Sequence, residues 1–259
     1  MARLHNKSRS HSSHFEIVAQ GERRAPTPSV TVAISLYNYE EFIASCVESV
    51  REQTLSELDL VVVDDCSTDG SVGVVCDWLI RNGDRFAGYL FIRHKSNQGL
   101  AGSRNTAFEN ARTKFVFVLD ADNLLYPRCL ERLRLALENC DASFSYCYLE
   151  KFGEEHGLQN THAWKPDSLR HGNTVDAMVL LRKSVWQEIK GYSVAPVMGW
   201  EDFELWFKIA RIGGWGILVP EILARYRVHG KSMLKNVTNR NMGKLWSHLR
   251  STYPEFFTK

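Results

Sequence analysis

The stretch KFVFVLDADNLLYP (residues 114–127) decides how the chain is read. Residues 115–119 form an apolar run of β-branched and aromatic side chains, the composition of a strand buried on both faces. The run ends in Asp120, Ala121 and Asp122. Two carboxylates two residues apart at a strand end project to the same side. Such a pair admits two readings: a solvated turn that stops the strand, or oxygen ligands for a divalent cation that orients a phosphorylated substrate. An isolated Asp-X-Asp favours the turn, so the flanking sequence has to decide.

Upstream, strands and helices alternate strictly. VTVAIS (30–35) reads as a buried strand, and residues 40–53 put Phe42, Ile43, Cys46, Val47 and Val50 on one helical face. LDLVVVDD (58–65) is a second strand, followed by the turn STDGS and a helix over 71–81. Residues 89–93 make a third strand, 100–111 a helix and 115–119 a fourth strand. Pro127 then opens a helix running to residue 139, at a position where its missing N–H costs nothing. Alternation of this kind predicts a parallel sheet with helices on both faces, because each right-handed crossover returns the chain to the same end. Ligands of such sheets bind beyond the carboxyl ends of the strands. Residues 35–38, the pair Asp64 and Asp65, and residues 120–122 should therefore share one rim.

Downstream the pattern loosens. Residues 143–151 and 174–181 read as strands, with a polar loop or short hairpin over 152–172 between them. A short helix at 183–190 ends at Gly191. Glu201 and Asp202 open an amphipathic helix carrying Leu205, Trp206, Ile209 and Ile212, stopped by Gly213 and Gly214. Residues 215–227 read as extended and lead to His229. A last helix over 241–257 carries Met242, Leu245, Trp246 and Leu249 on one face, which favours docking on a protein surface over lying on a membrane.

The 259 residues are 44% apolar, ample for a globular core, and the formal net charge of +2 comes from nearly balanced acids and bases. That balance argues against nucleic acid as a partner. No apolar run reaches the ~18 residues of a membrane span, and residues 1–28 lack a secretory h-region. The expectation is a cytoplasmic protein. The six cysteines show no Cys-X-X-Cys spacing, so neither structural zinc nor a disulfide framework is expected. Residues 1–28, rich in Ser, His, Arg and Lys, read as a flexible basic leader.

Six segments in this order, VAISLYNYEEFIASCVESVREQT, LDLVVVDDCSTDGS, NQGLAGSRNTAF, FVFVLDADNLLYP, GWEDFELWFKIA and YRVHGKSM, resemble the GT-A glycosyltransferases of family 2. The resemblance implies an α/β GT-A fold over residues 29–233, with a Rossmann-like, mostly parallel sheet. Its nucleotide-binding half would be 29–140 and its acceptor-binding half 141–233, followed by a helical extension over 234–259. It implies transfer of a sugar from a nucleotide-diphospho-sugar, UDP-linked, to a carbohydrate or lipid-linked acceptor with inversion, in polysaccharide or glycolipid synthesis. The setting would be the cytoplasmic face of a membrane, with an additional domain or a synthase as partner. Ser35 and Tyr37 would flank the uracil, and Asp65 would accept its N3–H, as an acceptor-only carboxylate can. Tyr37 packed on the first helix is the competing reading. Arg104 would meet a phosphate or pair with Asp120. Asp122 would ligate Mn²⁺ or Mg²⁺ and Asp120 the ribose or a metal-bound water, with His229 a further metal ligand and Lys231 a contact to the diphosphate. Of Glu201 and Asp202, Asp202 would be the general base. Trp200 would form a wall for a sugar ring or belong to the core. Asp64 and Asp69 read as turn residues.

Two other readings compete. A nucleotidyltransferase would need a Gly-rich loop after the first strand to cradle a triphosphate, and SLYNYEE has no glycine there. A non-catalytic glycosyltransferase-like module within a larger synthase would have no need of the acidic motifs.

Overall fold

A computed structural model describes residues 14–22, 28–194, 199–230 and 239–258. In chain order the elements begin with β1 (Phe15–Glu22), β2 (Val30–Leu36), α1 (Ile43–Arg51), β3 (Leu58–Asp64) and α2 (Ser71–Asn82). There follow β4 (Gly88–His94), α3 (Gly99–Asn110), β5 (Phe115–Asp120), β6 (Leu124–Leu125) and α4 (Cys129–Glu138). The second half holds β7 (Phe144–Gly153), β8 (Gly157–Gln159), β9 (Leu180–Arg182), α5 (Lys183–Glu188), α6 (Glu201–Arg211), β10 (Gly216–Val228) and α7 (Asn239–Thr252).

All the strands join one ten-stranded sheet in the order β1-β4-β3-β2-β5-β9-β7-β10-β6, with β8 on β7. The pairs among β2, β3, β4 and β5 are parallel, as is β7 with β10. The edge strand β1 and the short strands β6, β8 and β9 run antiparallel to their neighbours. The mostly parallel GT-A arrangement expected from the sequence is what forms.

Because the inner strands are buried on both faces, their period of two sorts side chains between two cores. Val32, Ile34, Leu60, Val62, Phe117 and Leu119 pack with α1, α2 and α4. Ala33, Val61, Val63, Val116 and Val118 point the other way, towards α3 and α6. Each such fully buried side chain contributes roughly 1.5–3 kcal/mol, so the central strands hold the register on which the rim depends. That register sets Ser35 beside Asp120 and Leu36 beside Asp64. The three polar clusters therefore do meet on one rim.

Two expectations change. The flexible leader is corrected over Phe15–Glu22, which forms β1 on the edge of the sheet, antiparallel to β4 from Phe15↔His94 to Glu22↔Gly88. Exposure along β1 does not alternate cleanly, with Glu16 and Ile17 both exposed and Val18 and Ala19 both half-buried, too weak a pattern to mark a strand without its partner. The expected strand over 174–181 shrinks to Leu180–Arg182. Upstream of it, Asp176 accepts from Met178 N and Val179 N donates to Ala177 O, so side chain and local turn satisfy backbone groups that a ladder would have used. Within the long polar segment, Gly157–Gln159 closes a hairpin on β7. The last helix docks as expected: Leu249 of α7 and Tyr253 are buried in the same core as α6, and Trp246 packs against it. Among the described residues no helix is long and apolar enough to cross a membrane.

Candidate active site

The rim is built from two loops stitched together. After β2, Asn38 N donates to Ser67 Oγ at 2.9 Å and Asn38 Oδ1 accepts from Thr68 N at 2.8 Å. Tyr39 N donates to Ser71 Oγ and Glu40 N to Asp69 Oδ2. Asp69 is thus the clasp between the loops that follow β2 and β3. Asn38 and Cys66 take left-handed conformations, φ 58° and 67°, which Asn tolerates better than most residues. Tyr37 is 46% exposed. Ser35 is half-buried at the strand end.

Asp65 lies 3% exposed at the end of β3 and gathers the neighbouring backbone. Its Oδ1 accepts from Gln98 N and His94 Nδ1, both at 2.7 Å, and its Oδ2 from Gly99 N at 2.8 Å. A carboxylate offers about four acceptor positions, so one on Oδ2 is left for a ligand N–H. Asp64 is fully buried; desolvation raises its pKa, while Ser67 N and Arg93 hold its Oδ2.

At the end of β5 the two motif carboxylates part ways. Arg104 of α3, 3% exposed, donates through Nη2 to Asp120 Oδ1 at 2.9 Å and lies over the Tyr192 ring. Of the two readings of Arg104, the pairing with Asp120 is the one these contacts describe. Asp122 is buried, and its Oδ2 lies 2.9 Å from His229 Nε2. Burial raises its pKa above the usual carboxylate range, the His229 hydrogen bond opposes that, and Asp120 adds to it. The His229 ring sits against Phe42 and Tyr39, with centroids 5.1 and 5.9 Å away, and its Nδ1 is buried without a partner. Arg227 donates to the Asp122 carbonyl and stacks on Phe42 and Phe152. Lys231 lies outside the described residues, and Arg227 is the basic side chain that the structure sets beside Asp122.

Among the described residues no three His, Cys, Asp or Glu side chains form a metal cage. The Asp122–His229 pair fits a shared site instead. A buried carboxylate disfavoured by desolvation, beside an imidazole with an unsatisfied nitrogen, suits a divalent cation that takes its other ligands from phosphate oxygens. Imidazole favours Mn²⁺ over Mg²⁺.

Facing this pair is the start of α6. Trp200 precedes it with a left-handed φ of 62°, a strained conformation for a bulky residue. Its ring is held edge-on by Phe203 and by Trp246 of α7, at 5.3 and 5.1 Å. Of its two readings, packing in the core is the one these contacts describe. Glu201 is buried and its Oε1 accepts from Gly199 N at 3.0 Å, closing the turn. Asp202 remains partly exposed, and its Oδ2 accepts from Asn173 Nδ2 at 2.8 Å. Its pKa is raised by burial, with Arg104 opposing and Glu201 adding.

Tyr226 and Asn173 were not singled out in the sequence. Tyr226 shows how the site converges: its phenol pKa is pushed up by burial and then by Asp176, Asp120, Asp122 and Asp202. These carboxylates come from β5, α6 and an irregular segment far apart in the chain, and no local pattern links them. For Asp176 the one available signal was its place in an otherwise apolar run.

The model of the family described as Glycosyl transferase family 2 matches residues 31–189. The chain is 27% identical to EpsE of Bacillus subtilis (strain 168) over 206 residues, 77% of this chain and 73% of that one. It is 26% identical over 214 residues to the UDP-Glc:alpha-D-GlcNAc-diphosphoundecaprenol beta-1,3-glucosyltransferase WfaP of Escherichia coli, covering 80% of each. Among solved structures, S. aureus TarS 1-349 in complex with UDP-GlcNAc superposes with a TM-score of 0.69 at 17% identity, over 81% of this chain and 61% of that one. The mannosyltransferase PcManGT from Pyrobaculum calidifontis, in complex with GDP-Man and Mn²⁺, gives 0.65 at 22% identity, over 80% and 59%. The chain thus spans about three fifths of these solved chains, and their likeness establishes the shared GT-A fold. With the family match running from β2 to the end of α5, through every strand that builds the rim, the chain belongs to glycosyl transferase family 2.

Proposed function

We propose that the chain transfers a sugar from a nucleoside-diphosphate donor, UDP-linked, to a hydroxyl of a carbohydrate or lipid-linked acceptor with inversion at the anomeric carbon. The observation that carries this reading is the convergence on one cleft of a metal-competent pair, Asp122 and His229, with a carboxylate of raised pKa, Asp202. Ser35 and Tyr37 border the nucleotide base, and Asp65 accepts from it. Asp120, braced by Arg104, faces the ribose side. Asp122 and His229 would hold the metal, Mn²⁺ or Mg²⁺, which would supply positive charge against the negative charge that develops on the departing diphosphate.

Asp202 takes the proton from the acceptor hydroxyl while that oxygen forms its bond to the anomeric carbon. The bond from that carbon to the diphosphate oxygen breaks, and the nucleoside diphosphate leaves with the electron pair. One displacement by one oxygen inverts the centre, and no enzyme nucleophile is needed. The names of the similar proteins support a nucleotide-sugar donor, and that of WfaP a lipid-linked acceptor in glycolipid or polysaccharide assembly.

Titration of UDP by calorimetry, with and without Mn²⁺, tests this. Binding should depend on the metal, Asp122→Ala should remove that dependence, and Asp202→Asn should keep donor binding while stopping turnover. Binding of UDP that is equally strong without metal overturns the reading.

A further inference from the structure

The carboxylate of Asp176 has no part in the scheme above, yet it is built into the same cleft. Its Oδ1 accepts from Met178 N at 3.0 Å and its Oδ2 from Gln159 Nε2 at 2.9 Å, while its own N–H donates to Asn160 Oδ1 at 2.7 Å. Held on three sides, the side chain cannot swing away, and about two of its four acceptor positions stay free. It is partly exposed. Asn160 itself is 5% exposed and takes a left-handed φ of 60°, and its Nδ2 is buried without a partner. A free hydrogen-bond donor therefore stands on the residue next to free acceptors.

Strand pairing fixes where Asp176 lies. β9 runs antiparallel to β5 with Leu180 opposite Phe117, and Val118 N donates to Val179 O at 3.1 Å. The residues before β9 thus run beside the Asp120 end of β5, while Asn173 donates to Asp202 Oδ2 at 2.8 Å. Burial raises the Asp176 pKa to about 7, with Asp120 and Asp202 adding to the rise and Arg104 opposing. The Tyr226 phenol senses Asp176 ahead of Asp120, Asp122 and Asp202. Asp176 therefore borders the space between the motif carboxylates and Asp202. In an in-line displacement the reacting carbon lies between leaving group and base, and the ring that carries it occupies that space.

We propose that Asp176 is a donor-specificity residue, which accepts hydroxyl hydrogen bonds from a neutral hexopyranosyl ring and excludes donors whose sugar carries a carboxylate. The proposal rests on the transferase reading above. A neutral hexose presents hydroxyl donors to the free positions of Asp176. A hexuronate sets another negative charge among Asp120, Asp122, Asp176 and Asp202, where the Arg104 guanidinium is already bonded to Asp120. Like charges brought together in this way cost enough to reject a ligand.

The test measures metal-dependent hydrolysis of paired donors by the full chain. The nucleotide is whichever of UDP, GDP and dTDP binds, and the pair consists of its neutral-hexose and hexuronate conjugates. Wild type should prefer the neutral donor at least 100-fold in kcat/KM. Asp176→Asn should cut that preference tenfold or more while the affinity for the sugar-free nucleotide changes less than twofold. Asp176→Ser, checked by its melting temperature, serves if the amide variant does not fold. An unchanged preference in a folded variant, or a wild type that prefers the hexuronate, overturns the proposal. Failure of every nucleotide to bind with metal overturns the transferase reading as well, and that outcome is visible before the donor pair is compared.

Discussion

At Asp202 two effects oppose each other. The N-terminus of α6 favours the anion by about 0.3–1 kcal/mol at an exposed site, which by itself would make a weaker base. Burial disfavours the anion, and desolvation shifts can reach several pKa units. Burial prevails, so the carboxylate is raised above its ordinary value even with Arg104 nearby. A stronger base suits proton abstraction near neutral pH. The base must be ionised to act, so kcat/KM should rise with pH through this elevated value and not through the ordinary range near 4. Since Arg104 lowers the Asp202 pKa, Arg104→Met should move that acidic limb to higher pH. A pH profile of donor turnover for both proteins checks it, and a limb that stays in place contradicts the assignment. Asp202→Asn should lower turnover about 10²–10⁴-fold, the usual range for loss of a general base.

Among the elements, α7 bears on catalysis without touching the substrate cleft. Leu249 is buried in the core it shares with α6, Tyr253 donates to Glu204 Oε1 at 3.0 Å, and Arg211 of α6 donates to Glu255 at 2.7 Å. Through Trp246 it also presses on Trp200, the strained residue that aims Glu201 and Asp202. Truncating a fully buried Trp costs about 3–5 kcal/mol. Trp246 is half-buried, so Trp246→Ala should destabilise by about 2 kcal/mol, measured by denaturant unfolding. The same variant should lose kcat with nucleotide affinity kept, because the strained turn loses its buttress. Equal loss of both would make α7 a general stabiliser and nothing more.

On the scale of the whole molecule, one sheet gathers carboxylates that repel one another. Asp64, Asp122, Asp176 and Asp202 all have raised pKa values, with burial the leading cause. Asp176 allows the sign to be worked out. Its pKa is about 7 when folded against a reference of 3.8, so the folded state binds the proton more tightly. Its contribution to stability is full below about 4 and is lost as pH rises through about 7. The melting temperature of Asp176→Asn relative to wild type, both without metal, should therefore climb between pH 4 and 8. A difference that does not vary with pH refutes this. Stability given up to keep a charged site is a common trade in enzymes.

What the sequence determined by itself is the architecture. Continuous apolar runs for the strands, helices between them and acids at the strand ends place Ser35, Asp65, Asp120 and Asp122 on one rim, because a parallel sheet leaves those residues nowhere else to go. The start of α6 was legible too, since charge pattern and apolar spacing are local. Only the tertiary structure decided the rest. That Arg104 serves Asp120, that Asp122 meets His229 across 107 positions of chain, and that Phe15–Glu22 completes the edge of the sheet all depend on partners distant in sequence. The setting of Asp176 depends on such partners too: its backbone bonds locally in place of continuing a strand, and its charge acquires meaning only beside Asp120, Asp202 and Tyr226. Local periodicity reports which face a residue shows, whereas burial and electrostatic company arise only when distant segments pack.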